Sequence, residues 1–463
     1  MNNIAKHSLA IATHALAIAK HPLAMDGKDP ANLRGDPIDA ERYYTKEFMA
    51  QEWQHLWTKI WHIAGREQQL KEAGDYIVHD FMRESVLIAK QHDGSLKGFY
   101  NVCSHRSQRL VSDNSFQKCF TCPYHGWVWG LDGVLQDCPD RDDFPQGDPV
   151  GKLTLTEVRV ATWAGLVWYT MDDHAPDLLT YLAPSPELYK HHQFEKTVRV
   201  SWFRVALNTN WKFWADNFNE SYHTRTVHPQ VPAVIDQDHF TSRYEMFPMG
   251  HNRIIQMGRP SLRDRPPAGE AHPFDDTLRA WDIDPAQYPD FETKAMQGWL
   301  DLKAAKKKLW KEKGFLHYQH LDDEELTESP FQVMFPNVAI APAADSFLVW
   351  RWEPHPTDPE KCFFDQWTMA YPIEGQEEFV NRTAVNPLRL TEAELDFRDY
   401  DNGDGVQHYA DQVVFQDWQL TAGQTNGWRS RGYREPYFAA QETRVRRFHE
   451  VLNDYLAGKP PGR

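Results

Sequence analysis

Two short segments, Cys103-Ser-His105 and Cys122-Pro-Tyr-His125, constrain this chain more tightly than any stretch of its hydrophobic pattern. Each joins a cysteine to a histidine across one or two residues, and 16 residues separate the pairs. Spacings this short place both side chains of a pair on one loop tip. The alternating runs before them and the Leu131-Asp132-Gly133 turn after them supply hairpins that can carry such tips.

Two thiolates and two imidazoles on two hairpin tips are the ligand set of a Rieske 2Fe-2S cluster, in which cysteines hold one iron and histidines the other. A structural zinc site also takes two Cys and two His. Zinc fingers favour paired spacers of like ligands, whereas both pairs here are mixed. Cys119-x-x-Cys122 would make a zinc knuckle, but it would leave His125 and its Cys-Pro-Tyr-His-Gly-Trp setting unexplained. The cysteine count points the same way. Cys103, Cys119, Cys122 and Cys138 fall within 36 residues, with Cys362 far downstream. In a large chain without a secretory signal that pattern means metal chemistry in a reducing compartment, here expected to be the cytoplasm, rather than a disulfide framework.

The formal net charge of −16 makes nucleic acid a poor partner, because an acidic surface repels phosphate backbones. No apolar run reaches the ~20 residues of a membrane span, so no membrane association is expected. Residues 7–25 carry a seven-residue repeat with His7, His14 and His21 in phase. Two and a half heptads ended by Pro22 are too few for a coiled coil, and histidines and Lys20 interrupt any signal-peptide core. Residues 1–37 therefore read as an N-terminal arm.

The 463 residues suit two or three packed domains. Helical spacing over 39–62, with Thr45 placed to cap, gives way to short alternating runs at 76–81 and 85–91. Residues 38–165 are expected to form a small antiparallel β-domain with a leading helix, carrying the Cys/His loops. Residues 166–463 mix strand-like runs at 244–258, 337–342, 347–354 and 363–372 with expected helices at 208–227, 294–313, 391–400, 408–423 and 436–456. Strands and helices segregated in this way predict an α+β domain. The Pro-, Asp- and Arg-rich stretch 258–292 has no period and is expected to be a long loop or lid.

A second constellation lies at 210–229, Asn-Trp-Lys-Phe-Trp-Ala-Asp-Asn-Phe-Asn-Glu-Ser-Tyr-His-Thr-Arg-Thr-Val-His-Pro. His223 and His228 are five apart, which on an ideal helix turns them about 140° from each other. Both reach one ion only where the helix ends or distorts, and Pro229 helps stop it there. Glu220 stands one turn before His223. With 22 histidines in the chain, such a pair alone is weak. Beside a one-electron cluster it gains force, since the electron needs a destination and two His plus one carboxylate form the facial triad of oxygen-activating ferrous enzymes.

At these residues the sequence resembles the Rieske non-haem iron ring-hydroxylating oxygenases, large (alpha) oxygenase subunit. Cys-Ser-His-Arg and Cys-Pro-Tyr-His-Gly-Trp match the cluster loops, and the 210–229 segment matches the mononuclear iron motif. The resemblance runs from about residue 38 to 455 and is weakest over 232–330. It implies that Cys103 and Cys122 bind one iron of the cluster and His105 and His125 the other. It further implies His223 and His228 as ligands of a mononuclear Fe(II), with Asp417 as third ligand and Asp411 as the alternative. Ser107 departs from the family, which usually has Gly there. Cys119 and Cys138 match no ligand and are expected to be small buried residues. Glu220 is implied to bridge His223 and the cluster ligand His125 of a neighbouring subunit.

The implied fold is a Rieske β-domain joined to a helix-grip (START-like) catalytic domain, assembled as a homotrimer with or without a small beta subunit. The implied activity is that of a terminal oxygenase component, a mono- or dioxygenase acting on an aromatic or polycyclic compound. Oxidation of an N-methyl or quaternary ammonium, betaine-like substrate is the alternative. The chain has no Gly-rich dinucleotide fingerprint and no second, plant-type cysteine cluster, so an NAD(P)H-dependent reductase, and with it a ferredoxin where one is used, must be a separate partner. Two readings from other classes are a hydrophobic-ligand carrier that keeps metal sites without turnover, and a zinc-stabilised regulatory or nucleic-acid module.

Overall fold

The computed structural model describes residues 33–263, 272–380, 387–399 and 412–461. Most of the expected N-terminal arm, and Asp411, lie outside them. The chain divides into two units, Ala50–Leu188 with 194–196, and the remainder.

The smaller unit is built on a seven-stranded antiparallel sheet. Its order is Trp61–Arg66, Leu166–Thr170, Glu157–Trp163, Leu96–Tyr100, Glu84–Lys90, Asp75–Phe81 and Ser115–Phe116. The two-residue period of a strand explains its two cores. Along Glu84–Lys90, Val86 and Ile88 join Ile77, Val158, Val167 and Tyr169 on one face. Leu87 and Ala89 point the other way, against Phe99, Phe120, Trp129 and the two candidate cluster cysteines. That second core ties a small sheet of Phe120–Thr121, Val128–Trp129 and Leu135–Asp137 to the large one. Each fully buried large side chain contributes on the order of 1.5–3 kcal/mol, so the cysteine loops stand on a rigid floor.

The larger unit carries an eight-stranded sheet in the order Arg243–Met246, Asn252–Gln256, Ser329–Met334, Val338–Pro342, Ser346–Pro354, Cys362–Ala370, Val198–Leu207 and Asp396–Asp399. Only the last pair is parallel among the described strands. A row of charges crosses three strands, because Asp365 faces Arg204 on one side and Arg351 on the other. Arg204 also reaches Glu353 at 2.7 Å and Arg351 reaches Glu353 at 3.2 Å, so each buried charge has opposite neighbours. The closing helix Thr443–Leu456 buries Phe448, Val451, Leu452 and Tyr455, and Phe335 packs between the rings of Phe448 and Tyr455. This is the α+β class expected.

Several elements differ from the expectation. The helix expected at 391–400 is instead the strand Asp396–Asp399, whose pairing with Val198–Leu207 outweighs its local propensity. The 258–292 stretch is not a bare loop. Residues 264–271 lie outside the described residues, and Pro273–Ala280 is a helix started by Pro273 and capped by His272, whose ring accepts the Phe274 N–H. The expected 208–227 helix is two helices, Lys212–Phe218 and Thr224–Val227. The described part of 408–423 likewise forms Gln412–Trp418 and the start of Thr421–Trp428. Residues 40–43, expected to lead the β-domain, belong to the larger unit: Tyr43 stacks on Trp428 with centroids 4.0 Å apart and donates its hydroxyl to Asp216 at 2.7 Å.

Candidate metal centres and substrate cavity

The two Cys/His loops have the same construction. Cys103 N–H donates to Gln108 O at 2.8 Å, and Ser107 N–H returns to Cys103 O at 3.0 Å. Cys122 N–H donates to Trp127 O at 2.7 Å, and Gly126 N–H returns to Cys122 O at 3.0 Å. Ser107 and Gly126 hold equivalent places, and both are left-handed, with φ of 57° and 69°. The turn needs that conformation whether or not a glycine supplies it. The departure at Ser107 thus leaves the loop intact at the cost of a strained serine.

These turns bring Cys103 and Cys122 into contact in the core, while the half-buried rings of His105 and His125 lie 4.6 Å apart. Burial and the neighbouring His125 hold the His105 pKa below its usual value, which favours the neutral ring a metal needs. Its Nδ1 is buried with no protein partner. Two adjacent thiols and an unpaired imidazole nitrogen fit a cluster with two sulfur and two nitrogen ligands. Cys138 packs in the same core as expected, but Cys119 is only half-buried.

The second centre forms where the expected helix breaks. The Asn219 amide donates to Ala215 O at 2.7 Å and accepts from Asn252 at 2.7 Å, ending the first helix. Glu220 then accepts the backbone N–H groups of Tyr222 and His223 in the turn that leads into the second. His223 and His228 flank that short helix, so the five-residue spacing no longer turns them apart. Their Nε2 atoms are 3.2 Å from each other. Asp417, near the end of Gln412–Trp418, places Oδ1 3.0 Å from His228 Nε2 and 3.5 Å from His223 Nε2.

The outer side of each ring is held as well. His223 Nδ1 is hydrogen-bonded to Glu220. His228 Nδ1 lies 2.8 Å from Gln416 Oε1, and Gln230 Nε2 donates to the same oxygen at 2.8 Å. Acceptors at both Nδ1 atoms fix the proton there, so both Nε2 lone pairs face the unpaired Asp417 Oδ1. Three lone pairs aimed at one point, with Asp417 and His228 almost fully buried, fit a bound cation. Burial alone would lower the His223 pKa, but Glu220 and then Asp417 outweigh it and leave it raised.

The structure brings Asp417 and Glu220, both implied by the resemblance, beside the two histidines. Gln416 and Gln230 went unnoticed. The signal available for Gln416 was its position beside a candidate ligand on a short helix. The triad opens on a cavity of about 270 Å³ whose wall includes Phe218, Ile254, Phe331, Leu348 and Trp350. Phe218 stacks on Phe331 with centroids 5.5 Å apart and lies 5.2 Å from the Trp350 ring.

Residues 194–458 match the family model of the ring hydroxylating alpha subunit (catalytic domain), and residues 60–158 match that of the Rieske [2Fe-2S] domain. Over 207 residues the chain is 31% identical to choline monooxygenase, chloroplastic, of Beta vulgaris, covering 43% of this chain and 46% of that one. It is 35% identical over 203 residues to chlorobenzene dioxygenase subunit alpha of Cupriavidus sp. (strain PS12), covering 42% and 44%. The matches therefore span a little under half the length of these relatives. Among solved structures, a quaternary ammonium Rieske monooxygenase superposes with a TM-score of 0.63 at 18% identity, over 94% of this chain and 97% of that one, a likeness of fold.

Proposed function

The chain belongs to the ring-hydroxylating alpha-subunit family, and from that premise we propose that it is a terminal oxygenase, using reductase-derived electrons and O2 to hydroxylate an aromatic or polycyclic substrate. The observation that carries this reading is the convergence of His223, His228 and Asp417 on one point in the wall of an apolar cavity. Cys103, His105, Cys122 and His125 would hold the cluster, and the triad would hold the mononuclear Fe(II). When bound, the cluster supplies single electrons and the mononuclear iron supplies oxygen activation.

The chain's own residues position and enclose. Glu220 and Gln416 fix the tautomer and aim of the two histidines. Phe218, Phe331 and Trp350 exclude water and present flat apolar surface to a substrate. Glu220 has the further role of accepting from His125 of the partner subunit, which joins the two centres across a trimer interface. Its variant Glu220→Gln is expected to keep both metals and the trimer but to lose most coupled turnover. An unchanged single-turnover electron-transfer rate would remove that role.

The electron donor is a separate NAD(P)H-dependent reductase, with or without a ferredoxin, and a small beta subunit is compatible with the assembly. No helix among the described residues is long and apolar enough to cross a membrane. Five thiols outside any disulfide suit a reducing compartment such as the cytoplasm. Oxidation of a quaternary ammonium compound is the second reading, favoured by the choline monooxygenase relative. The test is oxygen uptake by the holoenzyme with a reductase and NAD(P)H, measured against product across both substrate classes. Absence of coupled uptake with every candidate would count against the oxygenase reading.

A further inference from the structure

The substrate cavity is apolar at one level and polar at the next, and strand register sets the distance between them. On adjacent strands Ile254 faces Phe331, and Ala341 faces Leu348, an apolar row beside the Phe218 ring. Two residues along, Gln256 faces Ser329, and Ala343 N–H donates to Ser346 O at the turn that closes the next hairpin. All of these line the cavity. Two strand residues span roughly 7 Å, so a polar row of Gln256, Ser329 and Ser346 lies that far beyond the aromatic row. Gly258 stands in the bend after the strand, and a Cβ there would strike the Thr327 carbonyl oxygen at 1.8 Å, so only glycine lets Thr327 close in at this end.

This polar level holds side chains without partners. Gln256 is 6% exposed, and its Nε2 has no hydrogen-bond acceptor. Thr327 is 9% exposed, and its Oγ1 is unpartnered. Gln237, set beside Met257 by the Asp236–Met257 bridge, has a buried Oε1 in the same condition. All three line the cavity. These three share one cavity wall, where a polar group entering the cavity can satisfy them together. The charged groups nearby are already engaged. Lys306 donates to Leu326 O at 2.7 Å, Glu328 pairs with Lys303 at 3.4 Å, and Asp345 accepts from Ser346 at 3.3 Å.

We propose that Gln256, Thr327 and Gln237 form a polar anchor that selects a substrate with a neutral hydrogen-bonding group, a carbonyl or hydroxyl, about 7 Å from its apolar ring system. An amide donor, an amide acceptor and a hydroxyl together satisfy either group. A quaternary ammonium has no N–H and no lone pair, so it leaves all three unsatisfied. The selected class is thus an oxygen-bearing arene or alicycle. The inference rests on the oxygenase reading of the same cavity and narrows its substrate.

Equilibrium dialysis of the metal-loaded protein against 4-phenylcyclohexanone, phenylcyclohexane and tetramethylammonium tests the anchor without turnover. 4-Phenylcyclohexanone is expected to bind about tenfold or more tighter than phenylcyclohexane, its counterpart without the carbonyl, and tetramethylammonium more weakly than either. In Gln256→Leu the ratio of ketone to hydrocarbon binding should fall towards one. Thr327→Val, a near-isosteric change, should reduce it in the same direction and serves if the first variant does not fold. Equal binding of the ketone and the hydrocarbon, a ratio that survives both substitutions, or preferential tetramethylammonium binding would each overturn the proposal. A protein that shows the preference yet takes up no oxygen with a reductase would keep the anchor and lose the oxygenase reading.

Discussion

Gln416→Leu tests the claim that the aim of His228 depends on a neighbour that binds no metal. In the wild type the Gln416 carbonyl accepts from His228 Nδ1 at 2.8 Å and from Gln230 at 2.8 Å. His228 is 2% exposed, so water cannot replace the lost acceptor. The leucine variant leaves a buried N–H unpaired, at about 1–3 kcal/mol. The ring can escape that cost by moving its proton to Nε2, towards Asp417 Oδ1, where it removes the lone pair that would hold the cation. Loss of a partner of this kind typically costs 10–100-fold in metal affinity, or about 1.4–2.7 kcal/mol. The assay is competition of a ferrous chelator against purified protein, with the visible spectrum of the cluster as an internal control. Gln416→Glu, which keeps an acceptor for His228, should recover most of the affinity. Iron binding within threefold of wild type in Gln416→Leu would refute the reasoning, as would equal losses in the Leu and Glu variants.

His223→Ala and His228→Ala should each remove the mononuclear iron while leaving the cluster's visible absorption unchanged; bleaching in either would mean that the two centres are not separate. Arg204→Met should destabilise the larger unit by about 3–5 kcal/mol in urea denaturation, because it strips a buried partner from Asp365 and Glu353; a loss below 1 kcal/mol would show that the charge row contributes little. Ser107→Gly relieves a left-handed serine and should stabilise the smaller unit by about 0.5–1 kcal/mol, read as a delay in thermal loss of cluster absorption. Acid should weaken the larger unit through His192 and His317, whose burial pushes their pKa values down to about 3 and about 4. The unfolded chain takes up these protons near pH 6.5 and the folded chain does not, so stability is full above pH 6.5 and is lost as pH falls towards 4, on the order of 3 kcal/mol for each histidine. A urea midpoint that stays flat from pH 7 to 5 would contradict this.

What the sequence determined by itself was the part of each centre that is local. Cys103 and His105, Cys122 and His125, and His223 and His228 each lie within five residues, so short backbone turns alone decide whether a pair can meet. The alternating runs of the strands were legible for the same reason, since period two is a property of the strand itself. The helix break between Phe218 and Thr224 was foreshadowed by the angle between the histidines, but its cause, Asn219 held by Asn252, lies on another strand. Asp417 could be named only through a resemblance, because it comes 189 residues after His228 and no local period links them. Gln230 had no signal, and Gln416 had only its place beside Asp417: a glutamine becomes a positioning group only when folding buries it against a ring. The segment 391–400 carried enough helical pattern to mislead, and a parallel edge pairing with Val198–Leu207 overrode it. The tertiary structure alone decided the two levels of the cavity, since Gln256, Thr327 and Ser329 become a row only once antiparallel register sets residues some 70 positions apart side by side and burial removes the water that would otherwise satisfy them.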